Sequence, residues 1–445
     1  MSMPSYFQPI RLLFIIAFAF TWSSCDKNKE EESDYDPSRP VVLAKFYPES
    51  GGYATKVIIS GENFGTDTSK IKVYFNEKKA SIVGTNGEQL YVVVPKLPGE
   101  ICTVKVDVDG KSQSFKETFQ YASSYTITTV AGKYGGTATT MIDGNLAETE
   151  FNDRLAFLVT DTEGNLFGTQ HGSGQLIFML NEDKNISKKL LVVNSAQGDP
   201  QVPTINPANG KIYVPSAANS WYYEFDPELQ WSSRQQQILN PTDADKNFTP
   251  IDWKLSLAFN QEDGYVYTRS WLGEFVRFNP KTRVGELVAS PKTAGVLPDP
   301  LFVDMDSYHV FDPNNQDVIY VAYQPRHCIY SFNIKTLEHK LIAGTSGVAG
   351  YNDGPATNAE FNNPRQMTVD SEGNIYVADA GNHCIRKISN GMVTTVVGQG
   401  GVAGYVDGSA DEALLNNPWG VAVDKNDDVY VADRGNRVIR KLSFK

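Results

Sequence analysis

The residues best suited to bind a ligand are tryptophans and arginines in loops at one end of a repeated strand pattern. An indole offers a flat apolar face on which the C–H groups of a sugar stack, and a guanidinium donates hydrogen bonds to hydroxyl groups. We expect ligand contacts from the following set: Arg154, Trp221, Trp253, Arg269, Trp271, Tyr323, Arg326, Arg365 and Trp419. The alternative is that these aromatic rings fill a channel or pack between sheets.

The sequence offers no clear set of residues for catalysis. It has 5 histidines and 4 cysteines, and no Ser-His-Asp or Cys-His arrangement can be assembled from their spacing. His171, His327 and His383 fall at the same end, but His171 occupies a different repeat position, so a zinc site is the less favoured alternative. Asp353 and Asp407 each precede a glycine, and we interpret them as turn residues rather than calcium ligands. We therefore expect no catalytic residue, no metal and no cofactor.

An internal repeat determines where these side chains lie. The segment GNIYVADAGNHCIRKI (373–388) recurs as DDVYVADRGNRVIRKL (427–442). Weaker copies lie upstream, and the central aromatic residues of the six copies are Phe167, Tyr213, Tyr267, Tyr320, Tyr376 and Tyr430, at intervals of 46 to 56 residues. A period of about 50 residues with strand-like patterning is typical of propeller blades, each a four-stranded sheet that cannot bury its faces alone. The six copies predict a six-bladed propeller over 123–445.

The two ends of the repeat region complement each other. The fifth copy is followed by an outer strand, GMVTTVVG (391–398), whereas the sixth copy reaches Lys445 without one. A matching segment, YTITTVAG (125–132), precedes the first copy. We therefore predict that this N-terminal strand completes the last blade, which would leave few exposed sheet edges.

The last two copies resemble NHL repeats through the pattern N-x-Y-V-A-D-x-x-N-x-x-I-R-K. The resemblance is strong over 340–445 and weak in the middle copies, where the counterpart of Asp379 is Ser216, Ser270 or Tyr323. It implies a propeller, but NHL propellers include protein-binding modules, enzymes and carbohydrate binders, so it does not decide the function. Cys328 and Cys384 occupy equivalent positions in adjacent copies, too far apart for a disulfide, and we expect buried thiols.

A separate unit over 39–122 precedes the propeller. Its apolar runs at 56–59, 71–75, 89–94 and 103–108 alternate with turn signals, which is typical of a small antiparallel sandwich. The segment VIISGENFG (57–65) carries a resemblance to the immunoglobulin-like IPT/TIG domain. The fold class we predict is thus all-β, an immunoglobulin-like (IPT/TIG) β-sandwich followed by a six-bladed NHL-type β-propeller. Such sandwiches often act as spacers, and we expect Cys102 to be buried in it.

The N-terminal segment is interpreted as a targeting signal. Arg11 precedes an apolar run, LLFIIAFAF (12–20), which is too short to span a bilayer. Cys25 then follows two serines, so 1–24 resembles a lipoprotein signal peptide and Cys25 is the predicted lipidation site. The acidic stretch at 25–38 is a predicted flexible tether that resembles the surface-export signal of Bacteroidetes lipoproteins. The alternative for 1–24 is an ordinary secretory signal peptide, and the alternative for 25–38 is a spacer that carries no export signal.

Net charge and domain order together suggest a function. The formal net charge of −12 argues against a nucleic-acid partner, because phosphate binding relies on Lys and Arg. The organisation resembles the surface glycan-binding lipoproteins of Bacteroidetes starch-utilisation-type systems. This implies a lipid-anchored protein at the surface of the outer membrane that binds extracellular polysaccharide or oligosaccharide, with an outer-membrane transporter complex as a further partner. A metal-dependent propeller enzyme (lyase or lactone hydrolase) and a protein-interaction scaffold remain alternatives.

Overall fold

The computed structural model describes residues 35–96, 101–122, 125–172, 174–217, 220–242, 251, 253–291, 303 and 305–444. These residues form two compact units. Unit one runs to Gln120 apart from Gly51–Ala54, and unit two comprises those four residues and the chain from Tyr121 onward. No helix in the described ranges has the length and apolarity needed to cross a membrane. The predicted signal peptide and Cys25 lie outside the described residues, as does nearly all of the predicted tether.

Unit one is a sandwich of two antiparallel sheets, as predicted. The first has the order β1 (Val42–Tyr47), β3 (Lys56–Gly65), β7 (Gly87–Val93) and β6 (Ser81–Thr85). The second has the order β2 (Ser50–Gly51), β9 (Lys111–Tyr121), β8 (Ile101–Val108), β4 (Ile71–Phe75) and β5 (Lys78–Lys79). Alternate residues of β8 are buried, among them Cys102, as predicted. The rings of Phe75 and Phe119 meet edge to face with centroids 5.1 Å apart in the core.

The described part of unit two contains six antiparallel sheets, which we call blades 1 to 6. Blade 1 comprises β11 (Leu155–Thr160), β12 (Asn165–Gln170), β13 (Leu176–Asn181) and β14 (Ile186–Val192). Blade 2 comprises β15 (Thr204–Ile205), β16 (Ile212–Pro215), β17 (Trp221–Asp226) and β18 (Ser232–Gln237). Blade 3 comprises β19 (Ala258–Phe259), β20 (Val266–Arg269), β21 (Phe275–Phe278) and β22 (Gly285–Ala289).

The remaining three blades follow the same order along the chain. Blade 4 comprises β23 (Ser307–Asp312), β24 (Asn315–Tyr323), β25 (Cys328–Asn333) and β26 (His339–Ala343). Blade 5 comprises β28 (Pro364–Val369), β29 (Ile375–Asp379), β30 (Cys384–Ser389), β31 (Met392–Val397) and the short β27 (Gly354–Pro355). Blade 6 comprises β33 (Gly420–Val423), β34 (Val429–Asp433), β35 (Val438–Phe444), β10 (Tyr125–Gly132) and the short β32 (Gly408–Ser409).

Helical structure is confined to single 3₁₀ turns in the described ranges. Their bounds are Thr68–Lys70, Ser195–Gln197, Pro227–Leu229, Gln324–Arg326, Ala356–Asn358, Ala380–Asn382 and Arg434–Asn436. Three of them, at 324–326, 380–382 and 434–436, join the second and third strands of blades 4, 5 and 6. The all-β prediction is therefore confirmed.

The blades form a closed ring around a channel. The first strand of each blade lies beside the first strand of the next, and β33 of blade 6 lies beside β11 of blade 1. Apolar side chains fill the space between neighbouring blades. Between blades 2 and 3, for example, Tyr213 and Tyr222 pack with Leu257 and Phe278. Each blade thus buries its faces against two neighbours, and this mutual burial stabilises sheets that would not fold alone.

The N-terminal strand completes blade 6, as predicted. β10 pairs antiparallel with β35, from Tyr125 opposite Phe444 to Gly132 opposite Val438. It also reproduces the contacts of β31 in blade 5. The Thr129 N–H donates to Asp407 Oδ2 over 3.1 Å, just as the Thr395 N–H donates to Asp353 Oδ2 over 2.9 Å.

A buried arginine holds the repeat of blade 5 together. Arg386 Nη1 donates to Asp379 Oδ2 (2.9 Å) and to the Glu360 carbonyl (2.9 Å). Its Nη2 donates to Asp353 Oδ1 (2.6 Å) and to the Asn352 carbonyl (2.7 Å), while Nε reaches the same Asp353 oxygen at 3.1 Å. All five guanidinium N–H groups are therefore used, so the charge is buried at little cost.

Blade 6 repeats this network residue by residue. Arg440 donates to Asp407 and Asp433 and to the carbonyls of Val406 and Leu414. The interpretation of Asp353 and Asp407 as turn residues is thus wrong in part. A glycine with positive φ does follow each, at 128° and 122°, but the carboxylates serve as ion-pair partners of buried arginines. Cys328 and Cys384 are buried free thiols, as predicted.

We predict that Asp433→Asn lowers the free energy of unfolding of unit two by about 3 kcal/mol, because it leaves the buried Arg440 without its buried counter-charge. Denaturant unfolding followed by tryptophan fluorescence measures this, since the tryptophans after residue 25 all lie in this unit. The control is Asp411→Asn, an exposed residue outside the network. Equal unfolding midpoints for the two variants would contradict the structural role.

We also predict that the propeller depends on β10. A chain that begins at residue 134 lacks this strand, so β35 loses its neighbour and Ile127, fully buried, loses its place in the core. Its melting temperature should fall by roughly 10 °C or more relative to a chain that begins at residue 123. Thermal melts followed by circular dichroism compare the two, and coincident curves would refute the prediction.

Candidate functional site

One end of the propeller gathers the residues that the sequence singles out. Antiparallel strand order places the start of each first strand and the loop between each second and third strand at the same end, which we call the upper rim. Arg154, Trp253, Arg365 and Trp419 lie at or before first strands. Among the other predicted residues, Trp221 begins the third strand of blade 2. The rest lie at the end of a second strand or just after it, namely Arg269, Trp271, Tyr323 and Arg326.

Burial separates these residues into three groups. Trp253 is 60% exposed and Arg154 is exposed too. Intermediate burial is found for Trp221, Trp271, Arg326, Arg365 and Trp419. Arg269 and Tyr323 retain only 2% and 1% of their surface.

For Arg269 and Tyr323, the expectation of a ligand-facing position is wrong. The Arg269 guanidinium carbon lies 5.0 Å from the centre of the Tyr323 ring, and Nη1 donates to Ser307 Oγ over 3.1 Å. The Tyr323 hydroxyl lies 3.0 Å from His339 Nε2. Both side chains thus pack between blades 3 and 4. The large ring stands where blades 5 and 6 have an aspartate, and it fills that space by stacking rather than by ion pairing.

Two tryptophans in the loops of blade 3 form an aromatic pair, in which Trp253 is exposed and Trp271 is half-buried. The ring centroids of Trp253 and Trp271 are 6.4 Å apart, with planes inclined by 55°. Trp253 has a φ of 56°, a left-handed conformation that its backbone hydrogen bond to the Ala217 carbonyl (2.6 Å) helps to hold. The next residue, Lys254, is buried and donates to the Ser216 carbonyl over 2.8 Å. The backbone at Trp253 is therefore anchored to blade 2, and its ring supplies most of the apolar surface that the pair exposes to solvent.

A second group of side chains lies across the top of the channel, and we call it the arginine–tryptophan cluster: Arg154, His171, Tyr308, Arg365, Trp419 and Arg434. The guanidinium carbons of Arg365 and Arg434 lie 3.5 and 3.7 Å from the Trp419 ring centre. Arg365 Nη1 donates to the Tyr308 hydroxyl over 2.7 Å. The indole of Trp419 is thus covered by cations and offers no open stacking face.

The electrostatics of this cluster are those of a partly desolvated cationic site. Burial lowers the pKa of His171 to about 3, and the positive charges of Arg434, Arg365 and Arg154 act in the same direction, so the imidazole is neutral. Burial also lowers the pKa of Arg434 to about 10, with further lowering by Arg154 and Arg365. Burial raises the pKa of Tyr308 to about 12. The cluster therefore carries three positive charges at neutral pH.

The three rim histidines do not converge. His327 Nδ1 accepts the Asn363 N–H (3.0 Å), and His383 Nδ1 accepts the Asn417 N–H (2.9 Å), so each ties its blade to the next. His171 lies in the arginine–tryptophan cluster instead, with its ring centre 5.8 Å from that of Trp419. Within the described ranges, no three His, Cys, Asp or Glu side chains are placed to hold a metal ion.

Sequence reasoning missed Tyr308 and Arg434. A signal for Arg434 was available, because the similar segments VADAGN and VADRGN place it where the fifth copy has Ala380. Arg365 and Trp419 likewise occupy equivalent positions of adjacent copies. No such signal marked Tyr308, which reaches the cluster from blade 4, where the repeat is weak.

The opposite end of the propeller also has hollows. One, of about 1080 Å³, lies between blades 2 and 3 and is lined by Lys211, Glu224, Arg234 and Arg283. One of these side chains is ion-paired, since Lys211 Nζ lies 3.0 Å from Glu224 Oε1 and 2.9 Å from an Asp226 oxygen.

Comparisons with known proteins agree with this architecture. Residues 40–121 match the IPT/TIG domain family, and residues 361–388 and 415–440 match NHL repeats. The chain is 30% identical over 134 residues to the chloroplast protein SUPPRESSOR OF QUENCHING 1 of Arabidopsis thaliana, across 28% of this chain and 13% of that protein. It is 41% identical over 83 residues to NHL repeat-containing protein 2 of Gallus gallus, across 18% and 11%. The chain thus spans only a small part of these relatives.

Solved structures from Bacteroides share the fold over nearly the whole chain. A protein of unknown function from Bacteroides thetaiotaomicron has a TM-score of 0.75 and 24% identity, covering 93% of this chain and 100% of that one. An auxiliary nutrient binding protein from the same organism has a TM-score of 0.60 and 24% identity, covering 92% and 99%. One from Bacteroides ovatus has a TM-score of 0.60 and 22% identity, covering 93% and 100%. The chain therefore contains an IPT/TIG domain and NHL repeats within a fold that these proteins share.

Proposed function

We propose that this protein binds extracellular glycan through the upper rim of its propeller and supports oligosaccharide uptake across the outer membrane. The observation that carries the proposal is the pair formed by exposed Trp253 and half-buried Trp271. A rigid aromatic surface of this kind matches the apolar C–H face of a sugar ring, and it costs little entropy to order on binding. Half-buried Trp221 and Arg326 on the same rim supply further contacts.

Two similar structures support a role in nutrient binding. Both are named auxiliary nutrient binding proteins and both come from Bacteroides. The titratable groups of the upper rim favour binding over catalysis. A histidine whose pKa is about 3, as burial makes that of His171, is a poor general base near neutral pH.

The N-terminal sequence supports a location on the cell surface. In this proposal residues 1–24 are removed, Cys25 carries the lipid, and 25–38 tether unit one and the propeller to the membrane. Individual sugar contacts are weak, but confinement at the membrane raises the effective concentration of binding sites along a polysaccharide. An outer-membrane transporter complex would then receive the captured oligosaccharide.

We predict that Trp253→Ala weakens binding to the cognate polysaccharide about tenfold, because it removes one face of the exposed pair. Affinity electrophoresis against a polysaccharide panel identifies the ligand, and calorimetry then measures the affinity. Trp253 is exposed, so the variant should retain the melting temperature of the parent protein.

The matched control is Trp231→Ala. Trp231 packs against Phe167, with ring centroids 4.6 Å apart, and belongs to the opposite end of the propeller. It should leave glycan affinity unchanged. If no polysaccharide of a broad panel binds, or if the two variants lose affinity equally, the proposed function is wrong.

We also predict that Cys25→Ala abolishes lipid attachment. The variant should lose incorporation of labelled palmitate and leave the membrane fraction, since single weak contacts do not hold a protein at a bilayer. Cys102→Ala, which removes a buried thiol of unit one, is the control and should keep the label. Retained labelling in Cys25→Ala would refute the anchor.

A further inference from the structure

The arginine–tryptophan cluster contains cations without acidic partners. Arg365 and Arg434 have no carboxylate oxygen within 4.0 Å among the described residues. By contrast, the buried Arg386 and Arg440 each engage two aspartates. Arginine is thus used in two ways in one propeller. Only Arg386 and Arg440 have their positive charge balanced by neighbouring carboxylates.

The hydrogen-bond donors of the cluster are also largely unused. Arg365 donates one described bond, from Nη1 to the Tyr308 hydroxyl, and its buried Nε has no partner in the described part of the chain. Arg434 donates one described bond, a long one of 3.4 Å from Nη1 to the Leu155 carbonyl. A buried donor without a partner is costly, so such groups commonly mark a place that a ligand completes.

Stacking on Trp419 fixes the direction of these donors. A guanidinium whose carbon lies 3.5 or 3.7 Å from the ring centre lies against the indole, so its N–H groups can still bond at its edges. The indole itself is held by a hydrogen bond from Nε1 to Asn417 Oδ1 over 3.1 Å. The cations are therefore held in place before any ligand arrives, which lowers the entropy cost of binding.

The two acids described beside the cluster, Asp153 and Asp306, are fewer than its three arginines, so positive charge remains in excess. Asp153 lies 3.8 Å from Arg154, but both side chains are exposed and solvent screens the pair. Asp306 acts on Arg365: burial raises the pKa of this carboxyl, and the positive charge of Arg365 lowers it. In a chain with a net charge of −12, a patch of three neighbouring arginines runs against the overall charge and draws anions to this point of the surface.

We propose that the arginine–tryptophan cluster binds an anionic group, a carboxylate or a sulfate, of an acidic oligosaccharide that extends along the upper rim. The inference rests on the proposed function and names the class of its ligand. A carboxylate matches the fork of a guanidinium in two parallel hydrogen bonds, and a sulfate offers the same acceptors in a tetrahedral arrangement. The neutral part of the sugar chain would then lie within reach of other rim side chains.

The experiment compares three galactose-based tetrasaccharides by calorimetry on the full mature chain: tetragalacturonic acid, a sulfated carrageenan tetrasaccharide and neutral galactotetraose. At least one acidic oligomer should bind roughly tenfold or more tightly than the neutral one. That preference should shrink when NaCl is raised from about 0.05 to about 0.5 M, because salt screens the arginines. The two acidic arms distinguish carboxylate from sulfate.

Two variants test the cluster itself. Arg365→Gln and Arg154→Gln should each reduce affinity for the acidic oligomer about tenfold, a larger loss than either causes for neutral galactotetraose. Arg234→Gln, an exposed arginine on β18 of blade 2, is the matched control and should change neither. Arg154 is exposed, so its replacement tests the charge even if Arg365→Gln destabilises the fold.

The possible failures are distinguishable. One outcome refutes only the anionic ligand. In it, a neutral polysaccharide binds and Trp253→Ala weakens that binding, but acidic oligomers bind no better than neutral ones and the two arginine variants bind as the parent does. The proposed function then stands. If neither the three oligomers nor any member of the polysaccharide panel binds, both are wrong. If the acidic oligomers bind equally to Arg365→Gln, Arg154→Gln and the parent, the anion site lies elsewhere and this inference is overturned.

Discussion

Mutual burial of six sheets is the constraint on which this structure depends. A four-stranded blade exposes two apolar faces, and only a closed ring covers all of them. Closure requires an outer strand for blade 6, and β10 supplies it from the other end of the repeat region. Because Thr129 and Thr395 make matching bonds to Asp407 and Asp353, the seam of the ring has the same local chemistry as an uninterrupted blade. The ring then provides a fixed frame for the loops of the upper rim.

Arginine serves two different purposes within that frame. Arg386 and Arg440 are buried with every donor used, and they hold the loops of blades 5 and 6 to their strands. Arg365 and Arg434 lie across the channel with few bonds, held by the ring of Trp419. Around Arg386 and Arg440, carboxylates balance the positive charge. Around Arg365 and Arg434, guanidinium N–H groups remain available to a ligand. This difference in partners, rather than any difference in residue type, separates scaffold from candidate site.

The upper rim therefore combines two kinds of surface that suit a sugar chain. Trp253 and Trp271 offer an apolar surface without charge, and the arginine–tryptophan cluster offers directed donors with positive charge. Departure from the repeat pattern in blades 2 to 4 has two outcomes. Trp271 remains half-exposed beside Trp253, whereas Tyr323 is an internal packing residue that stacks with Arg269. Aromatic residues that break a repeat are thus not equivalent, since the neighbouring blade decides which of them remain exposed.

The sequence by itself determined the all-β class, the sandwich, the repeated strands and the closing role of 125–132, because these follow from periodicity and local matches along the chain. It also placed most of the candidate residues at one end of the propeller. Only the tertiary structure decided that Arg269 and Tyr323 are internal, that Asp353 and Asp407 neutralise buried arginines, and that Trp419 is covered by guanidinium groups. The physical reason is that neighbouring blades determine the burial and the hydrogen-bond partners of a side chain. A sequence repeat aligns equivalent positions of the blades, but it does not specify the side-chain contacts between them.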